Sequence, residues 1–315
     1  MSDLPVIRGP AGSELVKLDP LAQFLAGQLS ERTRRAYQAD LYHFFGSDHL
    51  SLEQIREVGF QDLVAYRNEL AQQGYKRTTI NRRLASLKAF FRMVTAAGFI
   101  DKNPADSALV RGYRLEENLT GKAIQQRALR QLVAEIEQEE DDLVRARDLA
   151  IVFVLIYGGL RRSEAANISW EDLTQDGAFH VLKLPETKTG VPQDVKLQAI
   201  VIHQIDLYRQ ALVAHGYPVQ GKAFISLSRN QSHGCPLTDQ SINLIVKKRA
   251  LRAGVPQKIT AHMFRHTCCT LAIEGGAKPQ QVQAHLRHKD LKTTMRYYEH
   301  RERLTDNASD YIRIT

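Results

Sequence analysis

Three cysteines in 315 residues, Cys235 and the adjacent Cys268 and Cys269, are too few and too unevenly placed for a disulfide framework. They read as buried or half-buried thiols. No stretch approaches the roughly 18 consecutive apolar residues of a membrane span. The opening MSDLPVIRGPAGSELVKLDP carries acidic residues and no apolar core of signal-peptide length, so the expected location is the cytoplasm. A GxxxxGK(S/T) phosphate loop is missing, and GGLRRSE lacks the strand–GxGxxG–helix arrangement of a dinucleotide site. His262 and His266 have the i, i+4 spacing of zinc ligands, but Met-Phe-Arg stands between them. That segment offers no glutamate base and places an arginine where it would oppose a dication, so no metal is expected. Internal repeats and low-complexity tracts are absent as well.

What is present is an ordinary globular composition, 43% apolar and 25% charged, over a length sufficient for two separately cored domains. The net charge is +8, and its distribution says more than its sum. Lysines and arginines bunch at Lys76, Arg77, Arg82, Arg83, Lys88 and Arg92, then at Lys247, Lys248, Arg249 and Arg252, then at Arg287, Lys289, Lys292 and Arg296. Each cluster falls on a predicted helix or its edge. Any one of them suits a solvated face; three together favour a nucleic-acid partner.

The first 17 residues have Pro and Gly without a sustained period and read as a loose arm. Over 18–105 the apolar spacing is helical: Phe24 and Leu25 in a short helix, Tyr37, Leu41, Phe44 and Phe45 in a second, and Leu63, Tyr66 and Leu70 further on. Ser51 and Gln54 have capping-box spacing. Ile80, Leu84, Leu87, Phe91 and Val94 form one face of a helix capped by Thr78 or Thr79, with the first basic cluster largely off that face. Residues 106–122 are polar and weakly periodic, as a linker would be. Over 123–315 helices predominate, including the deeply apolar AIVFVLIY, which ends at Gly158-Gly159. The period shifts to two after Gly177, where FHVLKL and DVKLQAIV read as strands joined by PETKTGVPQ, with Lys188 at or near the tip. The predicted fold is therefore mainly α: an N-terminal helical bundle, then an α-rich domain with a small antiparallel sheet.

Near the end, AHMFRHT and HLRHKDLKTTMRYY gather imidazoles, a guanidinium and two phenols. His262 and Arg265, at i and i+3, share a helix face and can reach one anion. Arg161 follows a glycine pair, where backbone can approach a ligand closely. Tyr297 and Tyr298 both offer a nucleophile. A phenol with pKa near 10 needs a base or a cationic field to attack phosphorus, and His262 is the natural base candidate. Two guanidiniums suit the non-bridging oxygens of a phosphodiester.

Taken in order, these residues resemble the tyrosine recombinase, or phage integrase, family, in its simple two-domain form. GLRRSE resembles the first arginine box, which makes Arg161 the first catalytic arginine. TKTG resembles the β-hairpin lysine segment, with Lys188 delivering a proton to the departing 5′ oxygen. AHMFRHT is similar to the His-x-x-Arg box, giving His262 and Arg265. HLRHKDLKTTMRYY is similar to the last box, with His288 and, nine residues on, Tyr297 as nucleophile. Glu164, one turn from Arg161, is expected to orient a neighbouring side chain, and the N-terminal bundle resembles the family's SAM-like core-binding domain. One departure stands out: the family often has glycine before the last-box histidine, where this chain has Arg287.

The resemblance implies site-specific cutting and rejoining of double-stranded DNA through a 3′-phosphotyrosyl intermediate and a Holliday junction, in integration, excision or resolution. It implies no cofactor, neither ATP nor metal, because bond energy is kept in the phosphotyrosine. The implied assembly is a homotetramer on paired recombination sites, monomeric without DNA, with accessory proteins as further partners and no membrane. The polar tail ending YIRIT is expected to dock on a neighbouring subunit. Competing expectations are a type IB topoisomerase or telomere resolvase using similar residues, and a DNA-binding relative that keeps the fold without the chemistry.

Overall fold

The structure is a computed structural model, and it describes residues 19–115, 123–185, 191–228, 232–255, 258–292, 294–295 and 297–299. The chain divides into two compact units, Met1–Glu117 and Asn118–Thr315.

The first unit holds α1 (Pro20–Ala26), α2 (Glu31–Phe45), α3 (Leu52–Glu57), α4 (Phe60–Gln72) and α5 (Arg77–Ala96). Local chemistry sets several starts. The Asp19 carboxylate accepts the Leu21 N–H at 2.8 Å with Pro20 at the first helical position. Ser51 and Gln54 form the reciprocal capping box their spacing predicts. Along α5 the apolar stripe Ile80, Leu84, Leu87, Phe91 and Val94 is buried, and Phe90 joins it in edge-to-face contact with Phe24 and Phe91. Each such side chain withdrawn from water contributes about 1.5–3 kcal/mol. The helix begins at Arg77, with Lys76 as its N-cap, a step before the predicted threonines.

The linker expected over 106–122 is corrected at its start. Val110 is fully buried in this core, and Asn81 exchanges two 2.8 Å hydrogen bonds with the backbone of Tyr113. Residues 106–115 therefore close the bundle, held by apolar and side-chain contacts that a periodicity reading does not weigh.

The second unit contains α6 (Gln126–Glu137), α7 (Asp142–Tyr157), α8 (Arg162–Asn167), β1 (Leu173–Asp176), β2 (Phe179–Leu184), β3 (Gln193–Leu197), α9 (Ala199–Ala214), α10 (Asp239–Arg252), α11 (Ala261–Glu274) and α12 (Pro279–Leu286). Helical turns follow at 291–292, 294–295 and 297–299. The core runs through α7, whose Ala150, Ile151, Val152, Val154 and Leu155 are all fully buried, so the second half of this helix is apolar all round because protein surrounds it. The sheet is antiparallel in the order β1-β2-β3; Leu182 lies opposite Leu173 on one side and Val195 on the other. Leu182, Leu184, Val195 and Leu197 face the core.

Two strand expectations change. β1 is an additional strand ahead of the predicted pair, and the strand predicted through residue 201 ends at Leu197. Ala199-Ile200-Val201 opens α9, with Val201 buried and Ile200 44% exposed. Among the described residues no helix is long and apolar enough to cross a membrane.

Beneath α7 and α10 lies an ion network. Arg249 is 3% exposed; its Nε donates to Asp148 at 2.7 Å, and its Nη1 lies 2.7 Å from Glu139 and 3.2 Å from Glu135. The expectation of Arg249 as a DNA contact is thereby corrected: its charge is spent inside the fold. Lys247 and Lys248, two positions and one position earlier, are exposed, and Arg252 is half-exposed against Glu139.

Candidate active site

The turn after α7 starts the site. Gly159 adopts φ 54°, and a Cβ there would collide with the Leu286 side chain and press on Cys268 Sγ at 3.2 Å. Only glycine lets this turn lie against α11 and α12. Arg161 then N-caps α8, and Glu164, three residues on, accepts the Arg161 backbone N–H at 2.8 Å through Oε2 and its guanidinium through Oε1. Glu164 is 5% exposed. Burial alone would raise its carboxyl pKa, but Arg287 and Arg161 outweigh burial and hold it below the usual carboxylate range.

From α11 comes Arg265, 4% exposed, its Nη1 donating to the Gly159 carbonyl at 2.7 Å and its Nη2 to the Leu286 carbonyl. This one guanidinium ties the α7–α8 turn to the end of α12. Burial first, then the neighbouring Arg161 and Arg287, push its pKa down to about 10, so it remains charged at neutral pH.

The end of α12 supplies the rest. His285 Nε2 meets the Tyr157 carbonyl at 2.8 Å. Arg287 caps the helix in the left-handed region and reaches Glu164 Oε2 at 2.8 Å. His288 Nδ1 lies 2.9 Å from the hydroxyl of the fully buried Thr294. Burial, then Arg265, Arg161, His266 and Arg287, bring its pKa down to about 4, so the imidazole is neutral at pH 7. A hydroxyl donating to Nδ1 leaves Nε2–H free to donate outward.

The Tyr297 hydroxyl hydrogen-bonds to His266 Nδ1, with ring centroids 5.8 Å apart. His262, exposed, packs edge-on against His266 at 4.7 Å. Tyr297 and Tyr298 are both half-buried and pack on the cluster of Cys268, Cys269, Ile273, Val282 and Leu286.

Of the sequence candidates, Arg161, Glu164, Arg265 and His288 converge, and Tyr297 is joined to them through His266. His262 packs edge-on against His266, the residue that meets the phenol. Lys188 lies outside the described residues. Among the basic candidates of α5, Lys76, Arg77, Arg82 and Arg92 are exposed and Lys88 is half-buried. Arg82 is nevertheless paired with the buried Asp40. Arg83, with a 12% exposed side chain, is turned inward onto the Tyr75 ring and His43, which corrects its expected role as a DNA contact. The sequence reading missed His266 and Arg287 as site residues. His266 had a usable signal, since it lies on the same helix face as His262.

A helical N-terminal bundle and a helix-rich domain whose arginines and histidines surround a tyrosine define the class of DNA strand transferases that act through a tyrosine. The chain belongs to the phage integrase family: the phage integrase family model matches residues 122–303, and the phage integrase N-terminal SAM-like domain matches 22–98. These are the tyrosine recombinases, enzymes of site-specific DNA cleavage and rejoining. The chain is 30% identical over 272 residues to the tyrosine recombinase XerC of Listeria innocua, covering 85% of this chain and 87% of that one. It is 28% identical over 270 residues to XerD of Shewanella oneidensis, covering 85% and 86%. In fold it is similar to the XerH site-specific recombinase bound to palindromic difH substrate, with a TM-score of 0.67, 19% identity and coverage of 89% and 80%. It is also similar to the Tn1549 transposon integrase in complex with a circular intermediate DNA, with a TM-score of 0.65, 18% identity and coverage of 88% and 94%.

Proposed function

We propose that Tyr297 is the nucleophile of this recombinase, that Arg161 and Arg265 hold the scissile phosphate, and that His266 accepts the phenolic proton. Attack forms the Tyr297 Oη–phosphorus bond and breaks the phosphorus–O5′ bond, leaving a 3′-phosphotyrosine and a 5′-hydroxyl. The partner strand's 5′-hydroxyl then reverses the step on a new duplex, so no external energy source is consumed. Arg265 is braced by two carbonyls before DNA arrives, which makes its charge a preorganised one. Neutral His288 donates a hydrogen bond to the developing charge, Glu164 positions Arg161, and His262 supports His266. Lys188, which falls between β2 and β3 in the sequence, protonates the leaving oxygen.

The observation that carries this reading is the Tyr297–His266 hydrogen bond, with His288 held neutral by burial first and then by Arg265, Arg161, His266 and Arg287. The test uses a duplex recovered from a random pool by binding to the full chain and nicked to trap product. A covalent protein–DNA band should form, vanish in Tyr297→Phe and persist in Tyr298→Phe; the reverse pattern would transfer the role to Tyr298.

DNA contacts are assigned to Lys76, Arg77, Arg82, Lys88 and Arg92 in the first unit and to Lys247, Lys248 and Arg252 in the second. The assembly is a homotetramer on two synapsed sites, formed from monomers when DNA is bound and open to accessory proteins. Its strand exchange passes through a four-way junction that serves integration, excision or resolution in the cytoplasm, at the nucleoid. An apolar groove of about 840 Å³ between α6, α7, α11 and α12, with Val133, Ile156, Leu271 and Val282 in its wall, is a seat for the tail of a second copy. Deleting residues 304–315 should then weaken tetramer assembly on DNA; unchanged assembly would remove the tail from this role.

A further inference from the structure

Among the described residues Arg287 is the only one other than glycine with a positive φ, at 57°. L-residues are disfavoured there, and the ten other positive-φ positions are glycines. An arginine at this position therefore has a use that offsets its backbone strain. Its side chain is 3% exposed; Nη2 donates to Glu164 Oε2 at 2.8 Å and Nη1 to the His285 carbonyl at 2.8 Å.

Glu164 is the carboxylate shared here by two guanidiniums. Its Oε1 takes Arg161, and its Oε2 takes both the Arg161 N–H and Arg287. Without Arg287, Glu164 and Arg161 would be a closed pair at i and i+3, and an incoming phosphate would compete with a carboxylate already fully bound to its ligand. A second guanidinium on the same carboxylate divides that charge and leaves Arg161 in excess. We propose that Arg287 is a positioning residue, the counter-ion of Glu164, that keeps Arg161 available to the scissile phosphate. This role rests on Arg161 as a phosphate ligand. In it Arg287 acts through Glu164, although its buried Nε, which has no partner among the described residues, leaves direct contact with the phosphate as the rival outcome.

The experiment measures covalent-complex formation in a single turnover by the full chain at saturating nicked duplex, together with duplex affinity. Arg287→Gly relaxes the backbone yet should slow cleavage about 100-fold, the scale for loss of an electrostatic contact, with affinity little changed. Arg287→Lys should keep most of the rate. Adding Glu164→Gln to Arg287→Gly removes the competing charge but keeps an oxygen for the α8 cap. The double variant should recover to within about tenfold of wild type, a coupling that a merely structural role for Arg287 would not give. An Arg287→Gly rate equal to wild type, or a double variant as slow as Arg287→Gly, overturns the inference; the second result assigns Arg287 to the phosphate itself. Arg161→Ala separates the layers. Its inactivity preserves the site reading on which the inference rests, and a wild-type rate would overturn both.

Discussion

The Tyr297 hydroxyl hydrogen-bonds to Nδ1 of His266, while His262, one helical turn earlier, meets the His266 ring edge-on. The sequence spacing assigned the base to His262; the fold gives that contact to its neighbour. The difference is chemical, since a base must lie within hydrogen-bond reach of the proton it removes.

His266→Asn should therefore slow single-turnover cleavage by about 100-fold or more, the usual contribution of a positioned base. His262→Ala should cost much less, because it loses the ring contact that supports His266 and not the hydrogen bond to the phenol. Rate measurements from pH 5.5 to 8.5 on both variants decide it. A His262→Ala defect larger than that of His266→Asn would return the base to His262.

His288 makes a prediction about acid. Its folded pKa is about 4 against an ordinary 6.5, so between those values the unfolded chain binds the proton that the folded chain refuses. Its contribution to stability is thus fully present above about pH 6.5 and is lost as pH falls towards 4. Urea melts of the DNA-free protein should lose stability through that window, and His288→Gln should lose less. Equal losses in the two proteins would mean that His288 titrates normally.

Much of this architecture is readable from residues because helices declare themselves locally. The α7 boundaries, Asp142 and Tyr157, follow from an acidic start and a Gly-Gly stop, and the α5 stripe follows from a 3.6-residue period. What the period misses are relationships set by tertiary contact. A short apolar run such as Ala199-Ile200-Val201 suits strand or helix until one knows that Val201 faces the core and Ile200 does not. Val110 looks like linker until the bundle buries it. The site divides the same way. Resemblance to the family's boxes singled out Arg161, Arg265, His288 and Tyr297, whereas His266 needed a partner 31 residues away to be distinguished from His262. Arg287 was noticed as a departure from glycine, but its use depends on Glu164, 123 residues earlier.

The basic run on α10 gives the sharpest contrast between composition and position. Lys247, Lys248 and Arg249 are equivalent in a charge count, yet only Arg249 is buried, against Asp148. Arg249→Ala takes one of two guanidiniums from the buried Asp148, which keeps Arg147, and should cost about 1.5–3 kcal/mol of stability, the range for hydrogen bonds to a charged group. Lys247→Ala and Lys248→Ala leave the core untouched and should stay within about 0.5 kcal/mol of wild type. As phosphate contacts, each should instead weaken DNA binding across sequences and lower the slope of log affinity against log salt by about 1. Urea melts and salt-dependent binding on the three variants separate the two roles. A stable Arg249→Ala protein with a reduced salt slope would put Arg249 on the DNA surface after all.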